Sequence, residues 1–362
     1  MIVNRYLIAQ ICTPLVTILG ILCVLFGSFS AAGFLSDAVN GLLPTNVIAE
    51  LIGLKVLISL EVLIPISLYL AVVLAFGNLY SNSEFTAMFA LHVSPLRVMR
   101  AVLTLAAGLA IVVAGLSLWA RPWAYRRMHE ISRRAQLQLN VNDMGAGTFY
   151  IGNNGKRVIY FAHRNGPNAP ARDVFVQLRH RNNIQIIYAQ LAYQLPKANA
   201  KDGPAVYLGN ANVYQISRKN RTSDHVINAQ GIIINPNSPG SSKAEYSSVA
   251  ASSEHLAGSD APSDIAEFQW RLSTALSTLL LAMLAVPLSH AQPRQNRYTK
   301  IGTAIAVYSG YYLLYTSART WVQNGVVSSF PGIWWVPAVL GLIVAIALWA
   351  PSARFKLRRN HA

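Results

Sequence analysis

Residues 101–163 read AVLTLAAGLAIVVAGLSLWA (101–120), RPWAYRRMHEISRRAQLQL (121–139) and NVNDMGAGTFYIGNNGKRVIYFAH (140–163), and three physical regimes follow one another there. Ala101–Ala120 carries no charge. A helix rising 1.5 Å per residue needs roughly 20 such residues to cross a ~30 Å hydrocarbon layer. Arg121-Pro122-Trp123 then places an aromatic anchor beside a basic residue, as at a membrane interface. Arg126–Leu139 reads as a polar helix leaving the membrane, and from Gly145 the apolar period changes to two.

On either side of this transition the chain repeats its first regime. Ile11–Leu35 and Val56–Leu79 precede it; Leu272–Ala291, Ile301–Trp321 and Gly332–Ala350 follow it. The spacing predicts an α-helical membrane protein with six transmembrane helices, three plus three, around an inserted all-β domain. The expected boundaries are a membrane half over 1–120, the inserted domain with its polar helix and linkers over 121–264, and a second membrane half over 265–362. Ile2, Val3, Tyr6 and Leu7 share one face and suggest a short interfacial helix before the first crossing. The first run is longer than a secretory signal's apolar core and reads as a retained helix. Pro14 falls near the start of that crossing, and Pro65 is expected to kink the second.

Within the insert, short runs rich in β-branched and aromatic residues are Thr148–Ile151, Val158–His163, Val174–Leu178, Ile184–Gln190, Ala205–Leu208, Val213–Ile216 and Val226–Ile234. Turn signals such as Asn154-Gly155, Asn165-Gly166-Pro167 and Asp202-Gly203-Pro204 divide them. Seven or so strands at this spacing predict a sandwich, jellyroll or open barrel. The Ser/Ala/Gly-rich stretch Asn235–Asp264 reads as a linker.

Charge orients the chain. Arg97 and Arg100, then Arg294, Arg297 and Lys300, then Arg354, Lys356, Arg358 and Arg359 lie in short connections that share one side if there are six crossings. By the positive-inside bias that side is cytoplasmic, both termini lie there, and the insert lies outside. The net charge of +16 is partly this asymmetry. The segment Arg121–Arg271 carries 18 Lys/Arg against ten Asp/Glu, which fits either a solvated basic surface or an anionic partner. Nucleic acid is a poor partner for a domain facing away from the cytoplasm.

No catalytic pattern emerges. Gly152–Arg157 lacks the spacing of a phosphate loop, and there is no HExxH, no GxSxG and no Cys/His ligand spacing. Cys12 and Cys23, eleven residues apart on one helix, lie about 16 Å from each other and cannot bridge. No cofactor is called for. The informative short segment is Ser81–Pro95 (SNSEFTAMFALHVSP), whose Ser83, Glu84, Phe85, Met88 and Phe89 describe an amphipathic helix over about 83–94, capped by Ser83. It either merely turns the chain at the interface or couples the membrane helices to a cytoplasmic motor, with Glu84 pairing to a basic groove.

Arg5-Tyr6-Leu7, Asn78-Leu79-Tyr80-Ser81-Asn82-Ser83-Glu84, Trp270-Arg271, Val286-Pro287-Leu288-Ser289 and Pro293-Arg294-Gln295, in this order and placement, resemble the lipopolysaccharide-export ABC permease family (YjgP/YjgQ type), its F-type more than its G-type subunit. The resemblance runs the whole length. It implies a non-catalytic inner-membrane subunit with a periplasmic jellyroll that extracts lipopolysaccharide for a bridge towards the outer membrane. The partners it implies are a cytoplasmic ABC ATPase dimer, an LptG-like paralogue, a periplasmic jellyroll bridge and an LptC-like membrane-anchored protein. On this reading Glu84, Phe85, Met88 and Phe89 contact the ATPase, and Arg319, Ser30, Gly33 and Tyr315 face the lipid. Arg319 either lines a cavity or snorkels to the outer interface. The first crossing departs from the family in lacking charge over Ser28–Phe34; its small residues suggest close helix packing or a lateral opening. Glu61 is expected to hydrogen-bond inside the bundle. The alternatives are an ion-coupled carrier with a sensor domain, which wants more buried ionisable residues, and a receptor presenting a β-domain, for which six crossings are excessive.

Overall fold

The computed structural model describes residues 2–39, 43–138, 146–152, 157–166, 169–179, 183–195, 205–217, 225–234, 247–290 and 297–359. The chain is mostly helical and divides into two compact units. One comprises Met1–Phe29, Gly53–Arg126 and Ser247–Ala362; the other comprises Ser30–Ile52 and Arg127–Tyr246.

Helix α1 runs over Ile2–Val39 without a break, so the expected interfacial helix is continuous with the first crossing, and Pro14 lies well inside it. Helix α2 (Ile48–Ser81) likewise contains Pro65 within one unbroken element. Helix α3 (Glu84–Ala90) is only seven residues long. Its expected cap is not made: Ser83 is left-handed (φ 61°) and its hydroxyl bonds nothing, while its carbonyl accepts from Ala87 N at 3.1 Å. Helix α4 (Pro95–Gly115) passes through a π-turn at Leu116–Ala120 directly into α5 (Arg121–Gln138). After the sheet come α6 (Ser253–Ala257), α7 (Pro262–Leu288), α8 (Arg297–Gln323) and α9 (Trp335–Arg359).

Among the described residues, four helical stretches are long and apolar enough to cross a membrane: Val3–Val39, Thr45–Ser81, Pro95–Ser132 and Pro262–Leu288; a shorter apolar helix covers Trp335–Trp349. The core of the membrane unit gathers Leu7 and Ile11 of α1, Leu68, Tyr69 and Phe76 of α2, Val98 and Val102 of α4, Leu281 and Ala285 of α7, Tyr315 of α8 and Leu340 of α9. Helix α8 is polar along one face because Tyr308, Tyr311, Tyr312 and Tyr315 recur at helical spacing. Two of these hydroxyls meet α7: Tyr311 donates to Ser277 Oγ at 2.5 Å, and the Tyr315 hydroxyl is hydrogen-bonded with Ser273 Oγ at 2.6 Å. Such a seam satisfies polar groups inside a helix bundle, away from hydrocarbon.

The second unit holds a six-stranded antiparallel sheet in sequential order: β1 (Tyr150–Gly152), β2 (Arg157–His163), β3 (Ala171–Arg179), β4 (Asn183–Gln194), β5 (Val206–Ser217) and β6 (His225–Ile234). The order is a meander, and the crossed connections of a jellyroll are not seen among the described residues. Two expected strands, Ala205–Leu208 and Val213–Ile216, are one strand. Gly209 and Asn210, which fall between the two expected strands, form a crease inside β5.

That crease crosses the sheet. Asp173 (φ 54°) and Asn210 (φ 50°) are both left-handed. They flank Gln190 in one row, since Arg172 pairs Leu191 and Val174 pairs Ala189 on one side, while Leu191 pairs Gly209 and Ala189 pairs Ala211 on the other. Asn210 Nδ2 donates to Gln190 Oε1 at 3.0 Å, and Tyr188 Oη to Asp173 Oδ1 at 3.0 Å. Side chains of a regular strand alternate, so residues three apart face opposite sides. Here Ala171 and Val174, Ala189 and Ala192, and Leu208 and Ala211 are all buried in the same apolar cluster. Each strand changes parity at the crease and thereby keeps one apolar face along its length. Gly231 of β6 is needed where Tyr207 lies over it: any Cβ there would overlap the phenol ring.

Turn signals 154–155, 167 and 202–204, the Asn220-Arg221-Thr222 sequon, the linker over 235–246 and the connection 291–296 lie outside the described residues. The rest of the expected linker is built: a 3-10 turn at Ser248–Ala250 and α6, both packed on α7.

Candidate functional site

Five charged side chains from four elements of the membrane unit converge. Glu61 of α2 is 2 % exposed and Glu267 of α7 is fully buried. Glu61 accepts from Arg121 Nη1 at 3.0 and 3.2 Å, Ser117 Oγ at 2.9 Å and Trp270 Nε1 at 2.9 Å. Ser117 belongs to the π-turn and Arg121 follows it, so the widened turn is where α4 hands over its polar groups. Glu267 accepts from Arg271 Nε at 3.1 Å and Arg319 Nη2 at 2.6 Å, with Arg121 Nη2 at 3.3 Å. Glu267 and Arg271 are one turn apart on α7, which brings them together on one face.

Arg271 has a second task. Its Nη1 and Nη2 donate to the carbonyls of Ser248, Val249 and Ala251 and to Ser253 Oγ at 3.0–3.3 Å, and Ser253 Oγ donates to the Leu118 carbonyl of the π-turn at 2.8 Å. The segment returning from the sheet is therefore bound to α7 through its backbone.

Arg319 is the outermost member, with its side chain 23 % exposed. It does not snorkel away from the bundle: Glu267 holds it at one corner and Trp270 lies 4.7 Å beneath it. Trp270 is in turn stacked on Tyr315 at 4.2 Å. Tyr315, expected to face the lipid, is buried; its hydroxyl meets Ser273, Thr274 and the Trp270 carbonyl. It braces Trp270. Ser30 and Gly33 belong to the other unit. The close packing expected there is absent at Gly33, where a Cβ would meet nothing, whereas Gly27 sits against Val56 Cγ2.

The helix α3 residues divide in two. Phe85 is buried, edge-on to Phe76 at 5.1 Å and tilted against Tyr80 at 4.6 Å. Met88 packs on the same core. Glu84 accepts from Tyr6 Oη at 2.7 Å at the surface, and Phe89 is 37 % exposed. Phe85 thus seats the helix, and of these four residues Glu84 and Phe89 are the ones at the surface. Elsewhere an apolar groove of about 500 Å³ runs between α7, α8 and α9, from Trp335 to Ala347, remote in composition from the charged cluster. A water-sized void of about 20 Å³ lies beside Glu61, Trp270 and the α8 tyrosines. Among the described residues no group of His, Cys, Asp or Glu has the arrangement of a metal site.

The family model of the lipopolysaccharide export system permease LptF/LptG matches residues 5–350. The chain belongs to that family. It is 27 % identical to the lipopolysaccharide export system permease protein LptF of Escherichia coli K12 over 373 aligned positions, covering 99 % of this chain and 98 % of the relative, and equally similar to the LptF of Shigella flexneri. An LptF/LptG permease is a transport subunit, and the match to LptF spans the helices and the sheet alike. Of the site residues expected from sequence, Arg319 and Tyr315 fall together at the cluster, and Glu84, Phe85, Met88 and Phe89 fall together on α3. Glu267, Arg121 and Arg271 were not expected. Their one signal was the Glu267–Arg271 spacing entering a crossing, with Arg121 just leaving another.

Proposed function

We propose that this LptF/LptG permease is one half of the membrane part of an ABC transporter that lifts lipopolysaccharide from the inner membrane towards a periplasmic bridge. ATP would be hydrolysed by a cytoplasmic ATPase dimer, and an LptG-like paralogue would complete the cavity. Both termini would be cytoplasmic and the sheet unit periplasmic, as a jellyroll-like module beside the bridge and an LptC-like protein. Six crossings are proposed because α8 turns its hydroxyls onto α7, which leaves an apolar outer side including Leu313 and Leu314 for lipid or partner. Substrate entry would bring the lipid's anionic headgroup to Arg319.

The observation that carries the ATPase-partner reading is the seating of α3. Phe85 fixes the helix to the end of α2, while Glu84 and Phe89 remain at the surface. A short helix anchored by one buried aromatic can transmit displacement to the crossing it is packed on. The carrier reading is weakened because Glu61 is already saturated by Arg121, Ser117 and Trp270.

The test is affinity purification from native membranes in mild detergent, wild type beside Glu84→Arg, with mass spectrometry of protein and lipid. Recovery of a cytoplasmic ATPase and a second permease with wild type, and loss of the ATPase with the folded variant, is expected. A folded wild-type chain that brings down no ATPase overturns the proposal.

A further inference from the structure

Helix α3 is flanked by two elbows: Ser83 and His92 are both left-handed, each at φ 61°. It is therefore not continuous with α2 or α4, and side-chain contacts carry any displacement of it to the crossings. Phe85 supplies the contact to α2. The contact to α1 is the bond from Tyr6 Oη to Glu84 Oε2, 2.7 Å long and joining residues 78 apart in sequence. Its length is near that of a hydroxyl donating to an ionised acceptor. A carboxylate has about four acceptor sites, and among the described residues Glu84 Oε1 accepts from nothing. One oxygen of the acid is thus committed to α1, and the other is open.

Helix α1 is built to follow a pull at this point. Of the four long apolar stretches it is the least packed, with 17 % of its apolar window buried against 33–50 % in the others. Leu7, Ile11 and Leu15 hold it in the core, whereas no residue from Val16 to Phe29 is buried. The helix is unbroken, so it is fastened at the end where Tyr6 meets Glu84 and loosely packed beyond.

We infer that Tyr6 is a positioning residue for Glu84, and that this one carboxylate ties α1 and α3 to the ATPase together. Oε2 takes the phenol of α1 and Oε1 takes a cationic side chain of the ATPase. The inference rests on the proposed contact of Glu84 with that partner. Holding Glu84 in one rotamer beforehand spares part of the ordering cost of association. Docking also excludes water from the phenol, and a hydrogen bond strengthens where water is excluded. The partner thus tightens the bond that ties α1 to α3, and α1 is drawn along with the short helix.

The experiment places the permease with its paralogous partner in nanodiscs, in a background with Cys12 and Cys23 replaced by alanine, and titrates in the cytoplasmic ATPase. It reads the dissociation constant and the distance between spin labels at Leu25→Cys on α1 and Leu342→Cys on α9, both exposed positions. With Tyr6 and Glu84 intact, the ATPase should bind and shift that distance. Tyr6→Phe, which removes only the hydroxyl, should weaken binding about fivefold and abolish the shift even at saturating ATPase. Its thermal midpoint should not change, because the bond lies at the surface. In a Glu84→Ala background, Tyr6→Phe should add nothing to the loss of affinity.

If Glu84→Ala binds the ATPase as tightly as the parent, the proposed contact fails and takes the inference with it. If Glu84→Ala weakens binding and Tyr6→Phe does not, the positioning role alone fails. Equal weakening by Tyr6→Phe with and without Glu84 means that the phenol acts through another group, and overturns the inference. A full distance shift in Tyr6→Phe overturns the link to α1.

Discussion

Arg121 and Arg127 stand almost two turns apart in one helix, yet their ion pairs differ in kind. Arg121 is 5 % exposed between Glu61 and Glu267, whereas the Arg127–Glu50 pair is 37 and 42 % exposed. Removing one partner of a buried pair leaves an uncompensated charge, at a cost of about 3–5 kcal/mol. An exposed pair contributes at most about 1 kcal/mol. Arg121→Met is therefore expected to lower the thermal midpoint in detergent sharply and Arg127→Met hardly at all; equal effects would refute the distinction. Gly332 offers a second comparison. It is left-handed (φ 55°), and a Cβ there would overlap the Gln269 side chain, which bridges Ser329 O and Ile333 N. Gly332→Ala should destabilise by about 1–3 kcal/mol in the same assay. At this scale Glu61 and Arg319 were legible, because a charge inside an apolar run demands a partner. Glu267 and Arg121 were not, because a charge at the end of a run reads as an interface residue.

Between elements, the crease explains what pattern reading missed. Period-two alternation broke at Gly209-Asn210, and such a break is the ordinary signature of a hairpin. In β5 the same residues change strand parity without ending the strand. Asn210→Gly should be tolerated, while Asn210→Val should cost about 1–2 kcal/mol, because an L side chain with a branched Cβ resists positive φ. Thermal loss of sheet circular dichroism reads both. At the neighbouring crease residue, donation to Asp173 raises the Tyr188 phenol above its ordinary value. The contact is therefore fully present below pH ~10 and is lost as pH climbs through the raised value. Tyr188→Phe should flatten the alkaline fall in stability; an unchanged profile would assign that fall elsewhere. Helix α3 was legible as an amphipathic segment, but its cap was not, since Ser83 takes a left-handed turn where an extended capping residue was expected.

For the molecule as a whole, the alternation of apolar runs and a β-rich insert was plain from hydropathy and period, and the family followed from motifs in order. The extent of helix was less plain. Apolarity marks where hydrocarbon ends, and hydrogen bonding carries α1 and α2 well past it. The proposed topology makes a direct prediction in a background with Cys12 and Cys23 replaced. A membrane-impermeant maleimide should label Thr148→Cys in cells with an opened outer membrane, and Ser94→Cys only after the inner membrane is breached. The reverse pattern would invert the orientation. The grip of Arg271 has a consequence for how such a chain can change over generations. It seizes main-chain oxygens at 248, 249 and 251, which every amino acid supplies. These three contacts thus depend on a single codon of α7, and positions 248, 249 and 251 are free to drift in composition without losing them.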